Sequence, residues 1–145
     1  MNILLIAGLP GSGKTTHLNE LQQNGWSVFD DFKAGAIDDS PAFNKSCRFV
    51  AVVSKLREGK KCAVADIDFC RGTSRTEAEN VLLGALPGLE IHWRFFANDE
   101  QACGENIRRR GRDSLEADLV KLREYSRIYE IPAGAEGRPV TGGER

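Results

Sequence analysis

Hydrophobic residues in this chain fall into short runs separated by amphipathic stretches. Residues 3–7 are continuously apolar rather than alternating, which is typical of a strand buried on both faces of a parallel sheet. Residues 26–29, 62–65 and 90–97 predict three more strands, and a marginal last strand or a frayed end is expected around Val140. The pattern therefore predicts a sheet of short strands with the first strand at its centre.

The intervals between the strands carry helical periodicity with recognisable starts and stops. The first helix is predicted from Lys14 to a stop at Asn24 and Gly25, residue types that tolerate the left-handed conformation after a helix. Ser40, followed by a proline, predicts the start of a second helix that runs to Gly59, since serine caps free amides.

Capping residues mark three further helix starts: Ser74 with Glu77, Asn98 or Asp99, and Asp113 with Glu116. In each case a short polar side chain can accept hydrogen bonds from the free amides of the first turn. The second of these helices is predicted to reach about Arg110, and Pro132 closes the third.

Strands that alternate with helices along the whole chain predict the α/β class. The expected architecture is a doubly wound, mostly parallel sheet with helices on both faces, in three α/β/α layers. With 145 residues in all, residues 1–132 are predicted to form a single domain, and residues 133–145 a Gly/Pro-rich tail or a marginal last strand. Ligands of such sheets bind at the carboxyl ends of the strands.

Charge and composition narrow the range of functions. The net charge is −1, which disfavours binding to nucleic acid through overall charge, although a local basic patch stays open. The apolar fraction of 41% is too high for a disordered chain with so little net charge. A packed globular core is therefore expected.

The cysteines and the N-terminal run bear on where the protein works. The four cysteines are Cys47, Cys62, Cys70 and Cys103. Their spacing is not that of a zinc or redox site, so reduced thiols in the cytoplasm and no structural metal are predicted. The first apolar run is too short to span a bilayer, so no membrane partner is expected.

One glycine-rich segment carries the strongest chemical signal: Gly8-Leu9-Pro10-Gly11-Ser12-Gly13-Lys14-Thr15. It fits the pattern G-x-x-x-x-G-K-[ST] and lies between a predicted buried strand and a predicted helix. Its glycines let successive amides converge on a phosphate, Lys14 neutralises that phosphate, and Thr15 offers a hydroxyl to Mg²⁺. The alternative is a glycine-rich turn without a ligand.

This motif in this context resembles the P-loop kinases, and more narrowly the small polynucleotide-kinase-like and zeta-toxin-like kinases. The resemblance spans about residues 1–131. It implies ATP as the phosphate donor, Mg²⁺ carried with it, and an acceptor that bears a hydroxyl group. The nucleotide-binding residues that it implies are Gly8, Pro10, Gly11, Ser12, Gly13, Lys14, Thr15, Thr16 and Arg112.

The segment after the second strand, Phe29-Asp30-Asp31-Phe32-Lys33, is similar to an Asp-Asp-aromatic-basic string of polynucleotide kinases. The resemblance implies that Asp30, or Asp31 one place on, is the general base that orients and deprotonates the attacking hydroxyl. Lys33 would then hold an anionic part of the acceptor. Acidic residues that merely solvate a loop are the alternative.

The segment after the third strand resembles the Walker B position, in which a carboxylate holds a magnesium-bound water. Asp66 directly ends the apolar run and is preferred over Asp68 as this carboxylate. Arg75 matches an arginine of the family pattern, which implies a substrate-binding role. A polar loop that starts a helix is the alternative.

An arginine cluster resembles the lid of these kinases: Asn106-Ile107-Arg108-Arg109-Arg110-Gly111-Arg112. Four guanidiniums in five positions repel one another unless an anion compensates them, so a triphosphate is a natural partner. Helical spacing cannot aim all four at one point. Arg109 and Arg110 are predicted to reach the phosphates, with Arg112 behind them, while a solvated basic face is the alternative.

The leading hypothesis is a kinase that moves the γ-phosphate of ATP to a polynucleotide 5′-hydroxyl, a nucleoside or another small molecule. A nucleotide-binding regulator or slow NTPase without an acceptor is the second hypothesis. A structural module with a vestigial loop is the third. Binding of a triphosphate separates the third from the others, and a phosphorylated product separates the first from the second.

Overall fold

Strands alternate with helices in the computed structural model, which describes residues 1–30 and 49–141. Its strands are β1 Asn2–Ala7, β2 Ser27–Asp30, β3 Cys62–Ala65, β4 Glu90–Phe96 and β5 Gly137–Arg138. Its helices are α1 Lys14–Gln23, α2 Val50–Arg57, α3 Gly72–Ala85, α4 Glu100–Arg110 and α5 Leu115–Ile128, and a short 3₁₀ helix, Ile67–Cys70, precedes α3.

The strands of the described residues form one parallel sheet in the order β2-β3-β1-β4-β5. β1 lies in the middle, and Ile3 pairs with Cys62 on one side and Ile91 on the other. The chain fills the β3 and β2 side of β1 first and the β4 and β5 side afterwards. The predicted doubly wound α/β fold is therefore confirmed, and its switch point lies at the carboxyl end of β1.

β1 contributes to hydrophobic cores on both faces of the sheet. Ile3 and Leu5 pack on the face that receives residues from α2, α3, α4 and α5. Leu4 and Ile6 pack on the other face with Leu18 of α1. Since strand side chains alternate between faces, burial of both faces explains the uninterrupted apolar run.

The predicted capping box at Ser74 is wrong. α3 begins at Gly72 with Arg71 at its N-cap, so Ser74 lies within the first turn. The polar residue that starts this region is Asp66, whose Oδ1 accepts a hydrogen bond from the amide of Asp68 at 2.8 Å. A 3₁₀ turn therefore begins directly after β3 and brings the chain into the helix early.

The other two predicted caps fare differently. Asp99, one of the two predicted alternatives, is the N-cap of α4 and accepts a hydrogen bond from the amide of Ala102 at 3.0 Å. The prediction for α5 is one residue early, because Ser114 rather than Asp113 occupies the N-cap. The Ser114 hydroxyl donates to Asp118 Oδ2 at 2.9 Å and so bonds to a side chain instead of a free amide.

The C-terminal segment pairs with the sheet and then crosses the glycine-rich loop. A last strand was expected around Val140, but β5 lies just before that residue and pairs with the end of β4. Val140 packs against the core instead. The amide of Thr141 donates to the carbonyl of Ser12 at 3.1 Å, so this segment lies directly on the loop.

Several other predictions have definite outcomes. α1 ends at Gln23, and Asn24 and Gly25 stop it as expected, since Asn24 is the C-cap and Gly25 has a left-handed φ of 92°. The start of the second helix at Ser40 lies outside the described residues. Cys62, Cys70 and Cys103 are free and buried, whereas Cys47 also lies outside the described residues. No helix of the described ranges is long and apolar enough to cross a bilayer.

Candidate nucleotide-binding site

The glycine-rich loop connects β1 to α1 at the switch point of the sheet. Gly11 and Gly13 have φ angles of 83° and 104°, which favour glycine. A Cβ at Gly11 would lie 2.5 Å from the Cys103 carbonyl oxygen, and one at Gly13 would lie 2.7 Å from the Thr141 Cβ. The loop is therefore wedged between α4 and the C-terminal segment, and its path requires both glycines.

The amino end of α1 points into this loop. Gly13 is the N-cap, and no side chain of the described residues caps the helix. The free amides of the first turn and the helix dipole therefore face the hollow of the loop, which is an arrangement that favours an anion.

Ser12 supplies an independent sign that a polar ligand belongs here. Ser12 is fully buried, and its hydroxyl has no hydrogen-bond partner within the part of the chain that the structure describes. A buried polar group left unpaired costs about 1–3 kcal/mol. Gly8 provides the space around it, because a Cβ there would lie 2.6 Å from Ser12 Oγ. A phosphate oxygen fits this environment.

Lys14 folds back over the loop. Its Nζ donates to the carbonyls of Gly8 at 2.7 Å and Leu9 at 2.9 Å. Burial lowers the pKa of Lys14, and the nearby groups of Cys70 and Asp30 partly oppose this shift. A polyphosphate would restore the lost solvation of the ammonium and stabilise its charged form.

Two carboxylates end neighbouring strands beside the loop. Asp30 is the last residue of β2 and pairs in register with Ala65, so Asp66 follows one position beyond. Thr15 Oγ1 donates to Asp30 Oδ2 at 2.7 Å. Asp66 is only 3% exposed and holds the start of the 3₁₀ helix. The structure therefore brings the two predicted Mg²⁺ ligands, Thr15 and Asp66, and the predicted general base, Asp30, to one edge of the sheet.

These residues line a cleft of about 260 Å³. Its lining comprises Pro10, Gly11, Ser12, Gly13, Lys14, Thr15, Asp30, Asp66, Ile67, Ile107, Arg110, Arg112, Asp118 and Lys121. Two larger hollows, of about 400 and 360 Å³, lie between α4 and α5 and beside β5, and the glycine-rich loop lines neither of them. The chemistry of the lining residues therefore favours the smaller cleft as the ligand-binding site.

The arginines of the predicted lid lie in different places. Arg110 and Arg112 line the cleft, whereas Arg109 is absent from the lining given by the described residues. Arg109 Nη1 donates instead to Asn106 Oδ1 at 3.0 Å. Burial lowers the pKa of Arg110, the neighbouring Arg112 lowers it further, and Asp118 opposes both. Arg112 therefore joins Arg110 at the cleft, and phosphate contact by Arg109 stays a prediction.

Arg75 is not brought to the cleft. Its guanidinium donates to the carbonyls of Phe69 at 2.8 Å and Glu130 at 3.1 Å, and it lies 5.3 Å above the ring of Phe95. These contacts tie α3 to the 3₁₀ helix and to the chain after α5. These contacts favour a structural role for Arg75, and its substrate-binding role stays a prediction.

The remaining predicted residues are placed as follows. Asp31 and Lys33 lie outside the described residues. Gly8 is buried beside Ser12, and Thr16 is exposed on the first turn of α1.

Three polar residues of the site were not predicted from the sequence. Asn106 is buried, and its Nδ2 donates to the carbonyls of Gly11 at 2.9 Å and Thr141 at 2.7 Å. It thereby joins α4, the loop and the C-terminal segment. A polar residue among the buried positions of α4 was the available signal for it. Asp118 and Lys121 reach the cleft from α5, and no local pattern marked them.

No family model matches the sequence, and no curated protein matches it. A gluconokinase from Sinorhizobium meliloti 1021 is similar in structure, with a TM-score of 0.58 and 17% identity over 96% of this chain and 80% of that one. Kti12 from Chaetomium thermophilum, solved in complex with ADP-AlF3, has a TM-score of 0.51 and 16% identity over 90% of this chain and 81% of that one.

These likenesses concern the fold. The chain shares its parallel, three-layer α/β/α fold with these two structures. The narrower likeness to polynucleotide kinases and zeta toxins stays a prediction.

Proposed function

We propose that this protein is an ATP- and Mg²⁺-dependent phosphotransferase that moves the γ-phosphate of ATP to a hydroxyl acceptor. The observation that carries the proposal is the loop around Ser12. It combines free helix amides, a buried hydroxyl that has no hydrogen-bond partner among the described residues, and Lys14 within one cleft, where Asp30 also lies. A phosphate-binding loop beside a carboxylate is what transfer to a hydroxyl requires.

The nucleotide would be held by the loop and the lid. The amides of residues 11–15 would bind the phosphates, Lys14 would turn from the loop carbonyls to the β and γ oxygens, and Arg110 with Arg112 would neutralise charge from the α4 side. Mg²⁺ usually binds through one or two carboxylates together with substrate phosphates. The Thr15 hydroxyl and Asp66 fit that role, in which the ion neutralises phosphate charge.

The acceptor would be activated by Asp30, with Asp31 as the alternative. The carboxylate accepts the proton of the attacking hydroxyl as the hydroxyl oxygen bonds to the γ-phosphorus and the bond to the β-phosphate oxygen breaks, which releases ADP. Asp30 already accepts a hydrogen bond from Thr15, which orients it beside the loop. Catalysis then depends on positioning and on charge stabilisation.

The names of the structural neighbours support phosphate transfer to an acceptor and nucleotide binding, the two parts of this proposal. Gluconokinase is a kinase of a small molecule, and Kti12 was solved with ADP-AlF3. The second candidate, a nucleotide-binding regulator or slow NTPase, uses the same loop without an acceptor. It predicts hydrolysis without a phosphorylated product.

Mass spectrometry tests the proposal. The protein is incubated with ATP, Mg²⁺ and a panel of metabolites and oligonucleotides, and a gain of one phosphate is sought. Lys14→Ala should abolish transfer and weaken triphosphate binding, whereas Lys60→Ala, which changes an exposed lysine, should not. Asp30→Asn should spare ATP binding and reduce transfer. Hydrolysis that is indifferent to Asp30→Asn would favour the regulator instead.

A salt titration then separates the acceptor classes. A polymer held by Lys and Arg should lose affinity steeply with added salt, whereas a neutral metabolite should not.

A further inference from the structure

One face of α5 runs along the cleft from the lid to the segment after β3. Asp118, Lys121 and Tyr125 lie on this face at helical spacing. Asp118 accepts a hydrogen bond from Ser114 at the lid end. At the other end, the Tyr125 hydroxyl donates to Asp68 Oδ1 at 3.2 Å. Lys121 lies between these two anchors, so α5 holds it over the edge of the sheet where β3 ends.

The contacts of the loop show on which side the acceptor must enter. The C-terminal segment covers the β5 side, because Thr141 bonds to Ser12 and packs against Gly13. Asp30 lies on the opposite side, at the end of β2. An acceptor hydroxyl that reaches Asp30 therefore enters from the β2 and β3 side, where Lys121 lines the cleft together with Ile67.

Lys121 differs from the other cations of the cleft. Lys14 bonds to loop carbonyls, and Arg110 and Arg112 extend from the lid. Lys121 makes no ion pair with any carboxylate of the described residues, although Asp118 lies one turn away. Asp30 and Asp66 would repel an anionic acceptor, and a lysine on the same side offsets that repulsion.

We propose that Lys121 makes this cleft specific for an acceptor that carries an anionic group, a phosphate or a carboxylate, near its reactive hydroxyl. The inference rests on the proposed function and names its substrate class. Lys121 acts as a specificity-determining residue: its ammonium forms a charge-assisted hydrogen bond with the acceptor anion, which turns the hydroxyl toward Asp30. It takes no part in binding the nucleotide.

Matched acceptor pairs test this specificity. Adenosine 3′-monophosphate is compared with adenosine, and gluconate with sorbitol, so that each pair differs mainly in its anionic group. The anionic member of the preferred pair should have the higher kcat/KM, and the pair that reacts distinguishes phosphate from carboxylate. Lys121→Met should raise the acceptor KM by about 10- to 100-fold, the range expected for a lost hydrogen bond to a charged group.

Two variants serve as controls. Lys121→Arg should retain most of the discrimination because it keeps the charge. Arg127→Met, which removes an exposed cation from the last turn of the same helix, should change neither the KM for the acceptor nor the KM for ATP. The KM for ATP should stay constant in all three variants.

A binding measurement covers the case in which no acceptor of the panel reacts. The protein is saturated with Mg²⁺ and a non-hydrolysable ATP analogue and then titrated with inorganic phosphate and, separately, acetate, followed by NMR. At least one of these anions should bind to the wild type and to the Arg127→Met variant. The same anion should bind at least tenfold more weakly to Lys121→Met.

The failures of the two proposals are distinguishable. A wild type that binds no nucleotide and transfers no phosphate refutes the proposed function. Preference for the neutral member of a pair, a change in ATP KM instead of acceptor KM, or anion binding that ignores Lys121→Met overturns only this inference.

Discussion

Asn106 offers the sharpest test of how the glycine-rich loop is held in place. Its side-chain amide is the donor that joins α4 to both the Gly11 and Thr141 carbonyls, at 2.9 and 2.7 Å. Asn106→Leu preserves the approximate size of the side chain and removes both donors. The loop would then lose its connection to the C-terminal segment through α4.

The expected loss of stability follows from the burial of the two carbonyls. The Gly11 carbonyl is buried, and leaving it unpaired costs about 1–3 kcal/mol, whereas the partly buried Thr141 bond contributes about 0.5–1.5 kcal/mol. The free energy of unfolding should therefore fall by about 1.5–4.5 kcal/mol, a large part of the 5–15 kcal/mol of a typical domain.

Urea unfolding measures this loss, and Asn80→Leu is the matched control. Asn80 is exposed on α3, so its substitution should change the free energy of unfolding by no more than about 0.5 kcal/mol. Both variants share the same gain in helix propensity, which cancels in the comparison. A loss in Asn106→Leu no larger than in Asn80→Leu would show that the bridge does not hold the loop.

Three further outcomes are expected. Gly13→Ala should abolish nucleotide binding in calorimetry and lower the unfolding temperature, because φ is 104° there and a Cβ would lie 2.7 Å from the Thr141 Cβ; binding at the wild-type level would contradict the loop geometry. Burial lowers the pKa of His17, with Arg94 and Arg138 adding to the shift, and Glu20 opposes it. The unfolded state therefore binds the proton more readily, so the free energy of unfolding should fall as the pH drops below about 6.5. The fall should be smaller in His17→Gln. An equal pH dependence of the free energy of unfolding in the wild type and the variant would refute this interpretation. Burial raises the pKa of the Cys70 thiol to about 11, so peptide mapping after iodoacetamide at pH 8 should find Cys70 unlabelled until urea unfolds the protein.

Elements whose pattern is local could be predicted from the sequence. The run of β1 is apolar without alternation because both of its faces are buried, and burial of this kind is visible in consecutive residues. The Gly25 stop of α1 and the Asp99 cap of α4 are equally local, since each depends on residues within one turn. These predictions are confirmed for that reason.

Predictions that depended on distant partners were less accurate. Ser74 has the residue type of a cap, but the chain enters α3 early because Asp66 starts a 3₁₀ turn. Arg75 fits a family position by spacing, yet the carbonyls of Phe69 and Glu130 engage its guanidinium. Residue type and spacing do not show which distant backbone atom will satisfy a side chain.

The sequence by itself determined the glycine-rich loop and the class of sheet that carries it. Both depend on residues that are neighbours along the chain, and their glycines, Lys14 and Thr15 can be read directly. Tertiary structure alone decided which groups complete the cleft. Asn106, Asp118 and Lys121 come to the loop from α4 and α5, far along the chain, because parallel strands collect their following segments at one edge of the sheet.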